Sequence, residues 1–155
     1  MFHKIHGRYP KITLLGILLL ILSFCSIRFK SPALQEPKVV LERMICCRSV
    51  EQKSGWARAV DEKTVFVNGV DPDIFSFVSL RDLHGMHTLA WKWYGPSLRI
   101  YRATDPINVG DENKIYESYI AWDRIVLSED KEKGRWTVSV FLDGTLIIAR
   151  DFEIK

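Results

Sequence analysis

Three places in the sequence bring together residue types that could do chemistry. The first is the run Asp82-Leu83-His84-Gly85-Met86-His87. Imidazole nitrogens and carboxylate oxygens both ligate divalent cations, so Asp82, His84 and His87 are candidate metal ligands. The spacing works against them. On a strand, positions 84 and 87 point to opposite faces, and beyond residue 31 the only other His or Cys side chains are Cys46 and Cys47. A zinc site needs three or four convergent ligands. The run therefore reads as a polar turn leading into a strand, and no metal or other cofactor is expected. The second place is Cys46-Cys47. Adjacent residues of a strand face opposite ways, and a disulfide between neighbours is strained. One of the pair is expected in the core, and the other, if it faces outward in an exported protein, could form an intermolecular bridge. The third is the tryptophan set Trp56, Trp91, Trp93, Trp122 and Trp136. Trp56 follows Ser54-Gly55 in an expected loop and is the candidate residue for binding a sugar or peptide. Trp91 and Trp93 share one strand face and read as core.

Other chemistries lack their residues. The acids fall mostly at turn positions, and the close D-x-D-x-D-G spacing of a calcium loop is absent. G-x-S-x-G, the phosphate-binding loop, the dinucleotide fingerprint and H-E-x-x-H are also absent. No residue is assigned a catalytic role, and the chain is read as a non-enzyme. A secreted hydrolase built on carboxylates that meet only in space stands as a secondary reading.

The elements that would position these residues lie in a chain of 155 residues, 47% hydrophobic and 26% charged, which is globular composition. Lys4, Arg8, Lys11, Arg28 and Lys30 are its only charges before residue 31; 17 basic residues and 19 acids remain, a net charge near −2 for the body. A nucleic-acid-binding body is therefore not expected. Ile12 to Ile27 is a sixteen-residue run with no charge, preceded by cations. That is the layout of a membrane anchor or an export signal. Arg28 and Lys30 directly after it favour an uncleaved anchor, and Phe24 is too bulky for acylation of Cys25. The expected organisation is a basic cytoplasmic tail over 1–11, a membrane anchor or signal segment over 12–29, a linker over 30–37 and a β domain over 38–155.

From residue 38 the text is short β-branched and aromatic runs punctuated by turn residues, the pattern of a sandwich or barrel. Expected strands cover 39–50, 64–67, 74–80, 87–94, 98–103, 114–127, 136–142 and 146–154, with a turn over 81–86 and one weak helix candidate over 50–60. Alternation is clearest in Leu89, Trp91 and Trp93 against Thr88, Ala90 and Lys92. For the last hairpin, a three-residue loop Leu142-Asp143-Gly144 is preferred over a two-residue Asp143-Gly144 loop. It pairs Val140 with Leu146 and Val138 with Ile148, and sets Trp136 against Arg150.

The run His87-Thr88-Leu89-Ala90-Trp91-Lys92-Trp93-Tyr94-Gly95-Pro96 resembles the W-x-W-Y-x-P strand of immunoglobulin-like sandwich domains in uncharacterised bacterial envelope proteins. Gly134-Arg135-Trp136-Thr137-Val138, followed by Asp143-Gly144 and Phe152, resembles their G-[KR]-W-x-V strand and closing hairpin. The resemblance implies an Ig-like antiparallel β-sandwich of about seven or eight strands and an extracytoplasmic setting. It carries no catalytic residues. Together with the apolar segment it implies a single-pass protein of the bacterial inner membrane with its β domain on the periplasmic or extracellular side. The expected partners are the membrane, through residues 12–29, and an envelope protein; no nucleic acid is expected. The expected role is non-enzymatic protein interaction, with sugar or peptide binding through exposed tryptophans as the alternative.

Overall fold

The computed structural model describes residues 39–155. The tail, anchor and linker assigned to 1–11, 12–29 and 30–37 lie outside the described residues, as does Lys38. The described part is all-β, with strands β1 (Val40–Lys53), β2 (Trp56–Glu62), β3 (Val65–Phe66), β4 (Asp73–Tyr94), β5 (Ile100–Ala103), β6 (Ile107–Val126), β7 (Gly134–Leu142) and β8 (Thr145–Ile154). They form one eight-stranded sheet in the order β2-β1-β4-β7-β8-β3, with β5 and β6 on the other side of β4.

The sheet curls because β4 folds back on itself. Ser76 and Trp91 stand fifteen residues apart on this one strand, and a straight strand would separate them by about 50 Å. Instead Trp91 Nε1–H donates to Ser76 Oγ at 3.1 Å. The first half of β4 lies between β1, paired from Cys47↔Phe75 to Val40↔Arg81, and the end of β6. The second half lies between β7 on one side and the start of β6, then β5, on the other. The crease falls at the segment expected to be a turn. Asp82 and Gly85 there have φ of 55° and 79°, and the pairing jumps from His84↔Ile115 to Gly85↔Asp111, so that β6 bulges over the residues between. The expected turn over 81–86 is thus a bend inside a continuous strand. On β6, Gly110 has φ +85°, and a Cβ there would lie 2.2 Å from the carbonyl oxygen of Gly85. The two backbones meet at a distance only glycine permits.

Between the facing halves sits the core. Ile74, Val78 and Leu80 come from the first half of β4, and Leu89, Trp91 and Trp93 from the second; Trp136, Val138, Val140 and Phe152 come from β7 and β8. Each of these large side chains contributes about 1.5–3 kcal/mol when fully buried. The indole N–H groups find acceptors. Trp93 donates to Asp123 at 2.8 Å and Trp136 to the Glu132 carbonyl at 2.8 Å. Phe152 packs edge-on to Trp93 and stacked on Trp136.

Two further expectations are corrected. The weak helix over 50–60 is a β-hairpin turning at Gly55, which takes φ 85°. The last hairpin has neither expected register. Asp143 and Gly144 both take positive φ, 51° and 76°, which suits a two-residue Asp-Gly turn. Leu142 pairs with Thr145 and Phe141 with Leu146, after which β8 gains one residue and Val140 meets Ile148. Val138, not Trp136, therefore faces Arg150. The bulge sets Trp136 opposite Phe152, both on the core side.

The loop into β4 is tied by a buried carboxylate. Asp71 is 1% exposed. It accepts from Lys63 Nζ at 2.5 Å and from the Val67 N–H at 2.8 Å, with Arg48 Nε at 3.6 Å.

Candidate functional site

The feature that most resembles a binding site grows out of one incomplete strand pairing. β4 pairs with β1 from Val40 to Cys47, whereas β2 joins β1 only from Cys47 onward. The Lys63 N–H donates to the Cys46 carbonyl at 3.1 Å, and the chain then leaves for β3. The other edge of β1 from Val40 to Ile45 pairs with no strand among the described residues, although β8 approaches it across the core.

A cleft opens on each side of that edge. On the outer side is a groove of about 480 Å³ with an apolar floor of Ile45, Phe77 and Ile120 and a wall of Ala57 and Ala59. These side chains belong to a second small apolar cluster centred on Ile45, Cys47 and Phe77. On the inner side is a cleft of about 400 Å³ lined by Met44, Cys46, Lys63, Thr64, Arg150 and Asp151. Charges of both signs rim the two. Arg43 pairs with Glu62, and Arg58 with Glu51 at 2.7 Å. Glu42 accepts from Ser79 Oγ at 2.8 Å. In the inner cleft Asp151 is held by Arg135, and Lys63 by Asp71. Arg150 makes no ion pair among the described residues.

Cys46 lies in the main core and Cys47 in the outer cluster, both as free, buried thiols. Neither is the outward thiol that an intermolecular bridge requires. Burial, with the neighbouring Cys47 adding to it, pushes the Cys46 thiol up to about 12, and burial pushes Cys47 up to about 11. The nucleophile is the thiolate, so Cys46 at the base of its cleft is inert near neutrality. Iodoacetamide at pH 8 is expected to leave both thiols unmodified over an hour in native protein and to modify both within minutes in denaturant. Rapid native labelling, followed by mass, would refute their burial.

Asp82, His84 and His87 are not brought together as ligands. Asp82 is exposed at the crease. Both ring nitrogens of His87 are engaged, Nδ1 with Asp143 at 2.7 Å and Nε2 with the His84 carbonyl at 2.8 Å. Asp143 also accepts from the Thr88 N–H at 2.8 Å. Burial alone would raise the Asp143 carboxyl, but His87 and the Thr88 N–H outweigh it and hold the group below its ordinary value. Asp151 is lowered too, first by the Thr137 hydroxyl and then by Arg135. A hydrolytic acid needs the opposite displacement. Among the described residues no group of three or more His, Cys, Asp or Glu side chains is placed to hold a metal ion.

Trp56 is 44% exposed at the start of β2, but its ring already carries the chain's own cations. Lys53 Nζ lies 5.6 Å and the Arg58 guanidinium 5.8 Å from the ring centroid. Trp91, Trp93 and Trp136 are core residues. The groove residues were not singled out from the sequence, although a signal was present. Met44-Ile45-Cys46-Cys47 is four consecutive apolar residues, the pattern of a strand buried on both faces rather than one.

No family model matches the chain, and no curated protein matches it. Among solved structures it is similar to the alkylpurine DNA glycosylase AlkC of Pseudomonas fluorescens, bound to DNA containing an abasic site analog. That likeness has 12% identity and a TM-score of 0.49, and covers 77% of this chain and 31% of that one. It is also similar to an immunoglobulin-like protein of Pseudomonas aeruginosa, at 12% identity and a TM-score of 0.44, covering 78% of this chain and 99% of that one. The chain spans less than a third of the glycosylase. At 12% identity neither likeness says what this chain does.

Proposed function

We propose that the β domain is an Ig-like, non-enzymatic protein-interaction module of the bacterial envelope, tethered to the membrane by residues 12–29 and lying outside the cytoplasm. The observation that carries the interaction role is the outer groove. Ile45, Phe77 and Ile120 form an apolar floor, and the alanines at 57 and 59 leave room above it. Apolar centres with charged rims are the anatomy of protein interfaces. The rim mixes Glu42 and Glu62 with Arg43 and Arg58, which suits a protein surface better than a polyanion. The membrane tether is supported by the uncharged run 12–27 and its flanking cations.

The test fills the groove. The full chain is crosslinked in its native membranes, alongside Ala59→Arg, with folding checked by circular dichroism. A hetero-partner is expected with the native sequence and is expected to be lost in the variant, which places a long cation over the apolar floor. A penalty of about 2 kcal/mol, roughly thirtyfold in affinity, is expected. Recovery of the protein alone, or equal recovery by both chains, overturns the reading.

A further inference from the structure

We propose that the partner binds by strand addition. An extended segment lies along β1 from Glu42 to Ile45, and its side chains alternate between the outer groove and the inner cleft. The proposal takes the interaction role above as given and names its mode and the chemistry of the partner.

The geometry has three parts. First, this stretch of β1 pairs with β4 on one side and with no strand on the other among the described residues, β8 lying near it without pairing. A free edge of this kind offers backbone donors and acceptors to an incoming strand. The pairing irregularity with β4 falls at Glu42, the first residue of the stretch, and the pairing is regular from Arg43 onward; Cys46 at its far end is already capped by Lys63. The neighbouring edge of β2 is less suited near its end, because Asp61 takes φ 57° there and departs from extended geometry. Second, the clefts lie on opposite faces of the same edge and share Glu42, Arg43, Ile45 and Glu62 in their linings. A strand sends successive side chains to opposite faces, so one added strand fills both. Third, the two faces ask for different chemistry. The outer one offers Ile45, Phe77 and Ile120 to apolar side chains. The inner one offers Arg150, which lines the cleft and has no ion-pair partner among the described residues. The occupant is therefore an extended peptide segment with apolar residues at alternate positions and a carboxylate among those between.

The experiment uses the full chain and two labelled, N-acetylated heptapeptides, one alternating valine with glutamate and one alternating valine with lysine. Fluorescence anisotropy gives the affinities, and amide hydrogen exchange locates the site. The glutamate peptide is expected to bind about tenfold more tightly than the lysine peptide, and Arg150→Glu, an exposed substitution, is expected to reverse that order. Exchange is expected to slow at Glu42 to Ile45 and nowhere along β2 or β6. The proposal is overturned by no binding, by equal affinities, by an order unchanged in Arg150→Glu, or by protection at another edge. It is overturned also if the β1 edge is already protected before peptide is added, because another part of the chain then occupies it. If the peptides fail while Ala59→Arg still abolishes the crosslink, strand addition falls and the interaction role stands. If both fail, so does the role.

Discussion

Gly110→Ala is expected to destabilise the domain by about 3–5 kcal/mol, a large share of the 5–15 kcal/mol that holds a domain of this size together. Two effects add. Gly110 sits at φ +85°, where an L side chain is strained, and its new Cβ would lie 2.2 Å from the Gly85 carbonyl oxygen. That oxygen is backbone at the crease of β4 and cannot swing aside as a flexible side chain would. Gly85→Ala is the control. Gly85 has φ +79° but open space around its Cβ position, so only the conformational strain of about 1 kcal/mol remains. Urea denaturation of both variants measures the difference. If the two midpoints shift equally, the close approach of the backbones at the crease is wrong.

Asp71→Ala is expected to lower stability by about 2–3 kcal/mol. The carboxylate is buried, and its removal takes the closer of two carboxylates from Lys63, leaving Asp61 at 3.6 Å, and the acceptor from the Val67 N–H. The loss stays below that of a fully buried pair because the side chains of Lys63 and Arg48 are 26% and 47% exposed and regain water. The group also fixes a pH dependence. Burial alone would raise the Asp71 carboxyl, but Lys63, the Val67 N–H and Arg48 together bring it below its ordinary value. A carboxylate held lower in the folded state contributes stability that is complete above the unfolded value. That contribution fades as pH falls through the folded value. Native protein is therefore expected to lose stability on acidification below about pH 4.5 more steeply than Asp71→Asn. Parallel acid profiles of the two, read from thermal midpoints, would show that Asp71 is not the group responsible.

Much of the sheet was legible from alternation and turn residues. Leu89, Trp91 and Trp93 face the core as their period of two requires. Gly55, Asp143 and Gly144 sit at turns in positive φ. What the sequence concealed was the difference between a turn and a bend. Arg81 to Met86 carries an Asp and a Gly in positive φ, the local chemistry of a reversal, yet β6 continues across the gap and keeps the strand whole. Only the long-range partner distinguishes the two. The hairpin register failed for a related reason. The Asp-Gly turn sets the first pairs, but the bulge above it answers to Trp136 and Phe152, which must reach the core together. The groove was hidden because Ile45, Phe77 and Ile120 come from three strands, and Arg150 from a fourth, so that no stretch of sequence shows them side by side.

One strand running through both halves of the curled sheet also governs how the molecule comes apart. β4 pairs with β1 and β6 through its first half and with β6, β7 and β5 through its second. Neither half can open without stripping partners from a strand that the other half still needs. Unfolding is therefore all-or-none across the domain, and the slowest-exchanging amides follow the whole length of β4. Partial openings are left to the short elements that hang from a single neighbour, β3, β5 and the β1–β2 tip. The domain can thus loosen locally at its rim while the frame that holds the β1 edge stays shut.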